Sequence, residues 1–163
     1  MSRLGMLYAL TDAEVTKLRS VPKDERYDYM LEHIEDELFG TPRACELDKA
    51  WIGLQYCLGG GRWREENRVP LNLVFSGEFL VETEDAEIIT LKNHEDVAAL
   101  CEWLQTHSLE ALIQENFPKI TDPDFPYGNA DGLEHTLGWS EEIPAFYENA
   151  NREHLQVIFT VDC

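Results

Sequence analysis

The chain has 163 residues, of which 44% are hydrophobic and 10% aromatic, so it is far too apolar to be disordered and long enough for one packed domain. Its 32 acidic residues outnumber 13 basic ones, and the formal charge of −19 opposes direct binding to nucleic acid or anionic membranes and favours a basic partner. The opening residues lack a signal-peptide pattern, and no later run reaches the roughly 20 apolar residues of a membrane span, so we expect a cytoplasmic protein.

Two helices are predicted to follow an N-terminal strand. The apolar run at 4–10 predicts the strand, and Thr11 with Glu14 has the spacing of a capping box that begins a helix at 12–19. A second helix is expected from Pro22 to about Phe39, where Gly40 ends it. Its apolar face is formed by Tyr27, Met30, Leu31, Ile34 and Leu38.

The opposite face of this second helix carries a row of carboxylates three or four residues apart. Its members are Glu25, Asp28, Glu32, Glu35 and Asp36. Charged residues are typical of a solvated helix face, which is one interpretation. The other is that the row offers negative charge to a basic partner.

The segment ELDKAWIGLQYCLGGG at 46–61 predicts a buried helix with a glycine stop. Asp48 is the expected N-cap, and apolar residues on nearly every face, Trp51 among them, indicate a core position. Phosphate-binding glycines precede a helix, whereas 59–61 follow one. We therefore expect these glycines to end the helix, and we expect no phosphate site.

The central part of the chain is predicted to begin with loops, which are followed by a strand and two helices. Residues 63–87 indicate loops with one or two short strands, and the β-branched run AEIITL at 86–91 predicts a strand. Helices are expected at 94–106, capped by Asn93, and at 109–116, after Ser108.

Residues 117–132 are rich in proline, glycine, Asp and Asn and predict a long loop. Such loops are often functional, so Asp122, Asp124 and Asp131 are candidate binding residues, although a packed connector fits the pattern equally well. Trp63 and Trp139 lie in segments of weak pattern and are candidate interface anchors, with burial as the alternative.

The C-terminal part is predicted to hold a helix capped by Ser140 and a strand at 155–161. This strand is expected to pair centrally with 4–10. The whole pattern predicts one compact α+β domain over residues 1–163, with a small mixed sheet that includes both terminal strands and several helices packed on it.

No catalytic or metal-binding motif is present. The five histidines lack zinc-ligand spacing, there is no nucleophile elbow, and the four cysteines, Cys45, Cys57, Cys101 and Cys163, form no C-x-x-C pair. We expect reduced core thiols, no metal, no cofactor and no enzymatic activity.

Several segments together resemble the YfbM-like family of bacterial proteins, known as domain of unknown function 1877. They are LGMLYALTDAE at the N-terminus, LDKAW at 47–51 with its helix and glycines, VPL at 69–71 and IPAFYENANREHLQVIFTV at 143–161. The resemblance covers essentially the whole chain. It implies an α+β fold and transfers no catalytic residue.

The charge leads to the functional hypothesis. A small acidic protein of the bacterial cytoplasm is similar in type to immunity proteins, which neutralise toxins such as nucleases with basic, nucleic-acid-binding clefts. The expected partner is therefore a basic toxin, and a nuclease is the favoured class. The alternative is an enzyme or small-ligand-binding protein of unknown chemistry, and the oligomeric state stays open.

Overall fold

The structure, a computed structural model, describes residues 3–63, 75–84 and 87–161. Within them one sheet is formed by β1 Gly5–Leu10, β2 Ala44–Asp48, β3 Glu78–Glu82, β4 Ile88–Lys92 and β5 Gln156–Val161. The strand order is β2-β1-β5-β4-β3. Each pairing is antiparallel, where a mixed sheet was expected.

The two terminal strands lie at the centre of the sheet, which confirms the predicted pairing. β5 is the middle strand, and Leu7 of β1 lies opposite Phe159 of β5. Successive side chains of a strand point to opposite faces, so β1 and β5 supply apolar residues to a core on each side. The α+β class is thereby confirmed.

One face of the sheet is covered by the N-terminal helices. Helix α1, Asp12–Ser20, begins at the predicted capping box, in which the Glu14 amide donates to Thr11 Oγ1 at 3.2 Å and the Thr11 amide to Glu14 Oε1 at 2.8 Å. The second helical segment, residues 23–38, consists of a 3₁₀ turn at Lys23–Glu25, α2 at Arg26–Tyr29, a π-helix at Met30–Glu35 and α3 at Asp36–Leu38.

The second helical segment buries a narrower face than predicted. Tyr27, Met30, Ile34 and Leu38 are buried against the sheet, whereas Leu31 is 37% exposed, so its assignment to the buried face is wrong. A helix that lies on a flat sheet brings one row of side chains into contact with it, and Leu31 lies beside that row.

The other face of the sheet carries the remaining helices. They are α4 Ala50–Leu58, α5 His94–Thr106, α6 Leu109–Asn116 followed by a 3₁₀ turn at Phe117–Lys119, α7 Ala130–Ser140 and α8 Ile143–Arg152. The predicted bounds of α5 and α6 are confirmed, as are their caps. The Asp96 amide donates to Asn93 Oδ1, and the Ala111 amide donates to Ser108 Oγ.

The segment 46–61 holds a strand end as well as a helix. Leu47 and Asp48 belong to β2, so the prediction that Asp48 caps the helix is wrong. Asp48 instead has a left-handed φ of +50°, and its side chain accepts a hydrogen bond from the Lys49 amide. The buried helix itself is confirmed, since Trp51 is only 6% exposed, and the glycines end it as predicted.

The predicted loop at 117–132 is shorter in the structure. Asn129 Oδ1 accepts a hydrogen bond from the Gly132 amide at 2.8 Å and begins α7 at Ala130, so Asp131 lies in a helix and not in a loop. Ser140 ends α7, and its hydroxyl donates to the Thr136 carbonyl at 2.6 Å instead of capping α8. Asn129 caps α7 because its side chain satisfies an amide of that helix's first turn, whereas the prediction that Ser140 caps α8 is wrong.

Cys45, Cys57 and Cys101 are buried free thiols, as expected. Cys163 lies outside the described residues, as do residues 64–74 and 85–86 of the predicted irregular stretch at 63–87. Among the helices that the structure describes, each is too short or too polar to cross a membrane.

Candidate functional site

The carboxylate row predicted on the second helical segment is the first candidate surface. We call Glu25, Asp28, Glu32, Glu35 and Asp36 the acidic surface. Four are exposed, and Glu35 is half-buried. Within the described residues none of the five forms an ion pair. Their charges are therefore not neutralised by direct ion pairs within the described part of the chain.

Arg26 is the cation closest in sequence to the centre of this row, yet its guanidinium points away from the carboxylates. It donates to backbone carbonyls of Arg19 at 2.9 Å, Val21 at 3.0 Å and Leu80 at 3.0 Å. These contacts fasten the helical segment to α1 and β3. Arg26 thus positions the acidic surface without neutralising it.

A groove of about 610 Å³ lies between α1 and the second helical segment, beside the acidic surface. Its walls include four carboxylates and one lysine, together with Tyr29 and His33, whose rings lie 4.6 Å apart. One carboxylate is Glu14. Burial raises its pKa, but hydrogen bonds from Thr11 and the Arg43 guanidinium outweigh burial and hold the pKa below its usual value. The groove is consequently an anionic site with an aromatic wall.

The second candidate surface is an aromatic pocket of about 360 Å³ on the opposite side of the sheet. Its rings are Trp51, Tyr56, Trp63 and Tyr127, and its charged residues are Arg3, Lys49 and Asp124. The ring centroid of Trp63 lies 5.3 Å from that of Tyr56 and 6.0 Å from that of Trp51, both edge to face. Trp63 is 40% exposed, so part of its ring is open to solvent.

Asp122 holds one wall of the aromatic pocket in place. Its Oδ2 accepts from the Tyr56 hydroxyl at 2.8 Å, and its Oδ1 accepts from the Asp124 amide at 2.9 Å. These bonds lower the pKa of Asp122, the amide of Asp124 contributing most. Burial, and then the bond to Asp122, raises the pKa of Tyr56 to about 12. The Tyr56 ring is therefore neutral at physiological pH and fixed in orientation.

The ten residues predicted as partner-binding fall on separate surfaces. The second helical segment carries the acidic surface, whereas Trp63, Asp122 and Asp124 meet at the aromatic pocket across the sheet. Asp131 is exposed in the first turn of α7. Trp139, at the other end of α7, is half-buried with its ring edge-on to His135 at 6.2 Å.

The residues that sequence reasoning missed are Arg3 and Lys49. Gly5 pairs with Asp48 between β1 and β2, which brings the chain around these two cations together. Because β2 was not recognised in the sequence, nothing linked residue 3 to residue 49. Among the described side chains, no group of three or more His, Cys, Asp or Glu is placed to hold a metal ion.

The chain is similar in sequence and in fold to proteins of one known family. The profile of the domain of unknown function DUF1877 matches residues 1–160. The chain belongs to the DUF1877 family. Its structure is similar to the crystal structure of YfbM from Escherichia coli, a protein of unknown function, with a TM-score of 0.65 and 15% sequence identity over 98% of this chain and 99% of YfbM. At this identity the similarity is one of fold. No curated protein sequence matches the chain.

The family assignment confirms the resemblance drawn from the sequence. LDKAW, one of the segments that carried it, lies at the junction of β2 and α4, where Lys49 and Trp51 line the aromatic pocket. The description of the DUF1877 family names no activity. The function of this DUF1877 protein must therefore be argued from its own two surfaces.

Proposed function

We propose that this protein is a non-enzymatic immunity protein of the bacterial cytoplasm that binds and neutralises a basic toxin, with a nuclease as the favoured class. The observation that supports the proposal is the acidic surface, whose carboxylates have no ion-pair partner among the described residues. The four exposed carboxylates, which have no ion pair to break, are available to a partner, whereas the half-buried Glu35 interacts with the Tyr8 hydroxyl. A basic cleft is the complement of such a surface.

The charge also accounts for how such a complex would form. A nuclease cleft carries cations that contact phosphates, and a row of carboxylates with about 5–6 Å between neighbouring Cβ atoms offers similar negative charge. The net charge of −19 attracts a basic partner over a distance and speeds association. An inhibitor seated on the cleft excludes the nucleic acid and needs no chemistry of its own.

The groove beside the acidic surface supplies a place for one side chain of the toxin. Its carboxylates and the Tyr29 ring suit an arginine or lysine, since a cation is attracted both to the carboxylates and to an aromatic face. We expect this contact to slow dissociation, whereas the exposed row mainly speeds association.

Affinity capture tests the proposal directly. The protein is immobilised and exposed to extract of its source cell and, separately, to the purified product of each neighbouring gene. We expect a basic protein to be retained and its toxicity, or its nuclease activity, to be blocked at equal concentration. The immunity function is wrong if no basic protein is retained from the extract or from any of the neighbouring gene products.

A charge-matched pair of variants identifies the surface used. D28N/E32Q/D36N removes three carboxylates of the acidic surface, and E102Q/E134Q/E148Q removes three exposed carboxylates from three other helices, so that both have a net charge of −16. We expect the first variant to bind the captured toxin markedly more slowly than the second. The difference should shrink when salt rises from about 0.01 M to about 0.15 M, because the Debye length falls from about 30 Å to about 8 Å. Equal association rates for the two variants would place the toxin on another surface.

A further inference from the structure

The aromatic pocket, across the sheet from the acidic surface, has features that toxin binding does not explain. It places two cations beside four aromatic rings, of which Trp63 is exposed, in a chain with 32 acidic and 13 basic residues. The described residues provide no carboxylate partner for the side chains of Arg3 or Lys49. Two cations without an ion pair among the described residues offer a contact to an anionic group, so the pocket suits a different ligand from the acidic surface.

We propose that the aromatic pocket binds a small planar aromatic molecule that carries an anionic group. The ring of the ligand packs against Trp63 and its neighbours, the anionic group meets Arg3 and Lys49, and Asp124 accepts a hydrogen bond from an N–H group of the ligand. This inference rests on the pocket alone and does not depend on the immunity function.

The rings of the pocket are rigid enough to select a planar molecule. Tyr56 is held by its hydrogen bond to Asp122, and Trp51 Nε1 donates to the Arg3 carbonyl at 2.9 Å. Both of these rings are more than nine-tenths buried, which leaves Trp63 and the half-buried Tyr127 as the surfaces that a ligand can reach. Rings that are already ordered bind a flat ligand with little loss of side-chain entropy.

The backbones of the two basic residues are held beside the pocket. The Trp51 hydrogen bond fixes Arg3 at the edge of the pocket, and Lys49 occupies the tight turn between β2 and α4 that follows the left-handed Asp48. Because Gly5 pairs with Asp48, the two cations enter the pocket from the same end of the sheet. Two neighbouring cations suit one carboxylate or phosphate group.

Asp124 comes from a different wall, the loop between the 3₁₀ turn and α7. Its amide is bonded to Asp122, which orients the residue, and its carboxylate is left to accept from the ligand. A volume of about 360 Å³ lies at the lower end of the range of small-molecule sites, which is about 300–1,000 Å³. The pocket therefore fits a single ring system with one anionic substituent and no larger polymer.

Titrations observed through the indole N–H signals of the protein's NMR spectrum test the proposal. The probes are 4-aminobenzoate and adenosine 5′-monophosphate, each compared with its uncharged counterpart, 4-aminobenzamide or adenosine, and with ribose 5-phosphate, which has no aromatic ring. We expect at least one of the two anionic probes to shift the Trp63 signal and to bind about tenfold more tightly than its uncharged counterpart. Ribose 5-phosphate should leave that signal unchanged.

The affinities of variants show which side chains of the pocket contribute to ligand binding. R3Q/K49Q should abolish the preference for the anionic probe, whereas K23Q/R152Q, which removes two exposed cations outside both the groove and the pocket, should retain it. W63A should weaken binding of the anionic and uncharged probes alike by about tenfold, and W63F should keep most of the affinity. D124N should reduce the advantage of 4-aminobenzoate over benzoate.

Three results of these titrations would contradict ligand binding at the aromatic pocket. The proposal is overturned if neither anionic probe shifts the Trp63 signal, if the uncharged counterparts bind equally well, or if R3Q/K49Q binds like the wild type. None of these results bears on the toxin, because the acidic surface is unchanged in every variant used here. Trp63 is 40% exposed but packs on Trp51 and Tyr56, so W63F, which keeps an aromatic ring there, and the thermal stability of W63A separate loss of ligand contact from loss of packing.

Discussion

Lys92 has the most unusual environment of any charged residue that the structure describes. Its side chain is fully buried at the end of β4, and its Nζ donates to Thr90 Oγ1 at 2.9 Å and lies 5.5 Å from the centroid of the Phe159 ring. Thr90 in turn donates to the Phe75 carbonyl at 2.8 Å. Burial lowers the pKa of Lys92 well below its ordinary value, and the opposing charge of Asp96 only partly offsets this.

The folded protein therefore favours a neutral Lys92 amine, which makes its stability dependent on pH. Between the folded-state pKa and about 10.5 the unfolded chain binds one more proton than the folded protein at this site, so stability rises with pH by about 1.4 kcal/mol per unit. Below the folded-state pKa both states are protonated and this slope vanishes. K92M, which has no ionisable group, should lack the contribution and be more stable than wild type at neutral pH.

Urea unfolding from about pH 6 to about pH 9 measures this effect as the difference between wild type and K92M. Burial also raises the pKa of the Cys45 and Cys57 thiols to about 12, which adds a further pH dependence to the stability. Wild type and K92M share this dependence, so it cancels in the difference between them. K17M, a change at an exposed lysine, serves as the control. Its free energy of unfolding should depend on pH in the same way as that of wild type. Parallel curves for wild type and K92M would mean that Lys92 stays charged in the fold.

At the scale of elements, the end of α4 depends on glycines of unequal importance. Gly60 and Gly61 both have left-handed backbones, with φ of +72° and +95°. A Cβ added at Gly60 meets nothing within 4 Å, whereas one added at Gly61 lies 2.7 Å from the Lys119 Cβ and 2.8 Å from its carbonyl oxygen. Gly61 also donates from its amide to the Tyr56 carbonyl at 2.9 Å.

G60A and G61A form a matched pair for this helix end. G60A should lower the free energy of unfolding by about 1–2 kcal/mol, the cost of a left-handed conformation in a residue with a Cβ. G61A should cost clearly more, because the 3₁₀ turn that carries Lys119 must move away. Thermal unfolding of both variants measures the difference. Equal losses of stability would show that the contact with Lys119 adjusts freely.

Elements with a local signal were the ones that the sequence could predict. Thr11, Asn93 and Ser108 mark helix starts that the structure confirms, because a cap satisfies amides only a few residues away. The strand β2 and the helix α7 were missed. β2 is five residues long with acidic side chains and depends on pairing with β1, and α7 contains Gly132 and Gly138, which are typical of loops.

The two candidate surfaces also differ in whether their residues are close together in the sequence. The acidic surface was predicted because its carboxylates share one helical segment, and four of the five are exposed in the structure. The aromatic pocket could not be predicted, since Arg3, Lys49, Trp63 and Asp124 come from four distant parts of the chain. Only the pairing of β1 with β2 and the course of the loop before α7 bring them together.

At the scale of the whole molecule, the excess of negative charge acts on stability as well as on binding. A net charge of −19 makes the folded protein repel itself, and carboxylates three or four residues apart on one helix add a few tenths of a kcal/mol of repulsion per pair. Since the acidic surface has no ion pairs among the described residues, this repulsion is uncompensated there. A surface kept for partner binding is expected to carry such a cost in stability.

The variant D28N/E32Q/D36N should therefore be more stable than wild type, by up to about 1 kcal/mol at low salt, because it removes two i,i+4 repulsions as well as three charges. E102Q/E134Q/E148Q makes the same change in net charge without relieving a stacked row, and its gain should be smaller. Added salt screens repulsion, so the stability of wild type should rise from about 0.01 M to about 0.15 M salt and approach that of D28N/E32Q/D36N. Denaturant unfolding of the three proteins at both salt concentrations gives these differences. If D28N/E32Q/D36N is no more stable than the matched control at low salt, the row contributes no local repulsion, and the argument that it is kept for a partner at the expense of stability is lost.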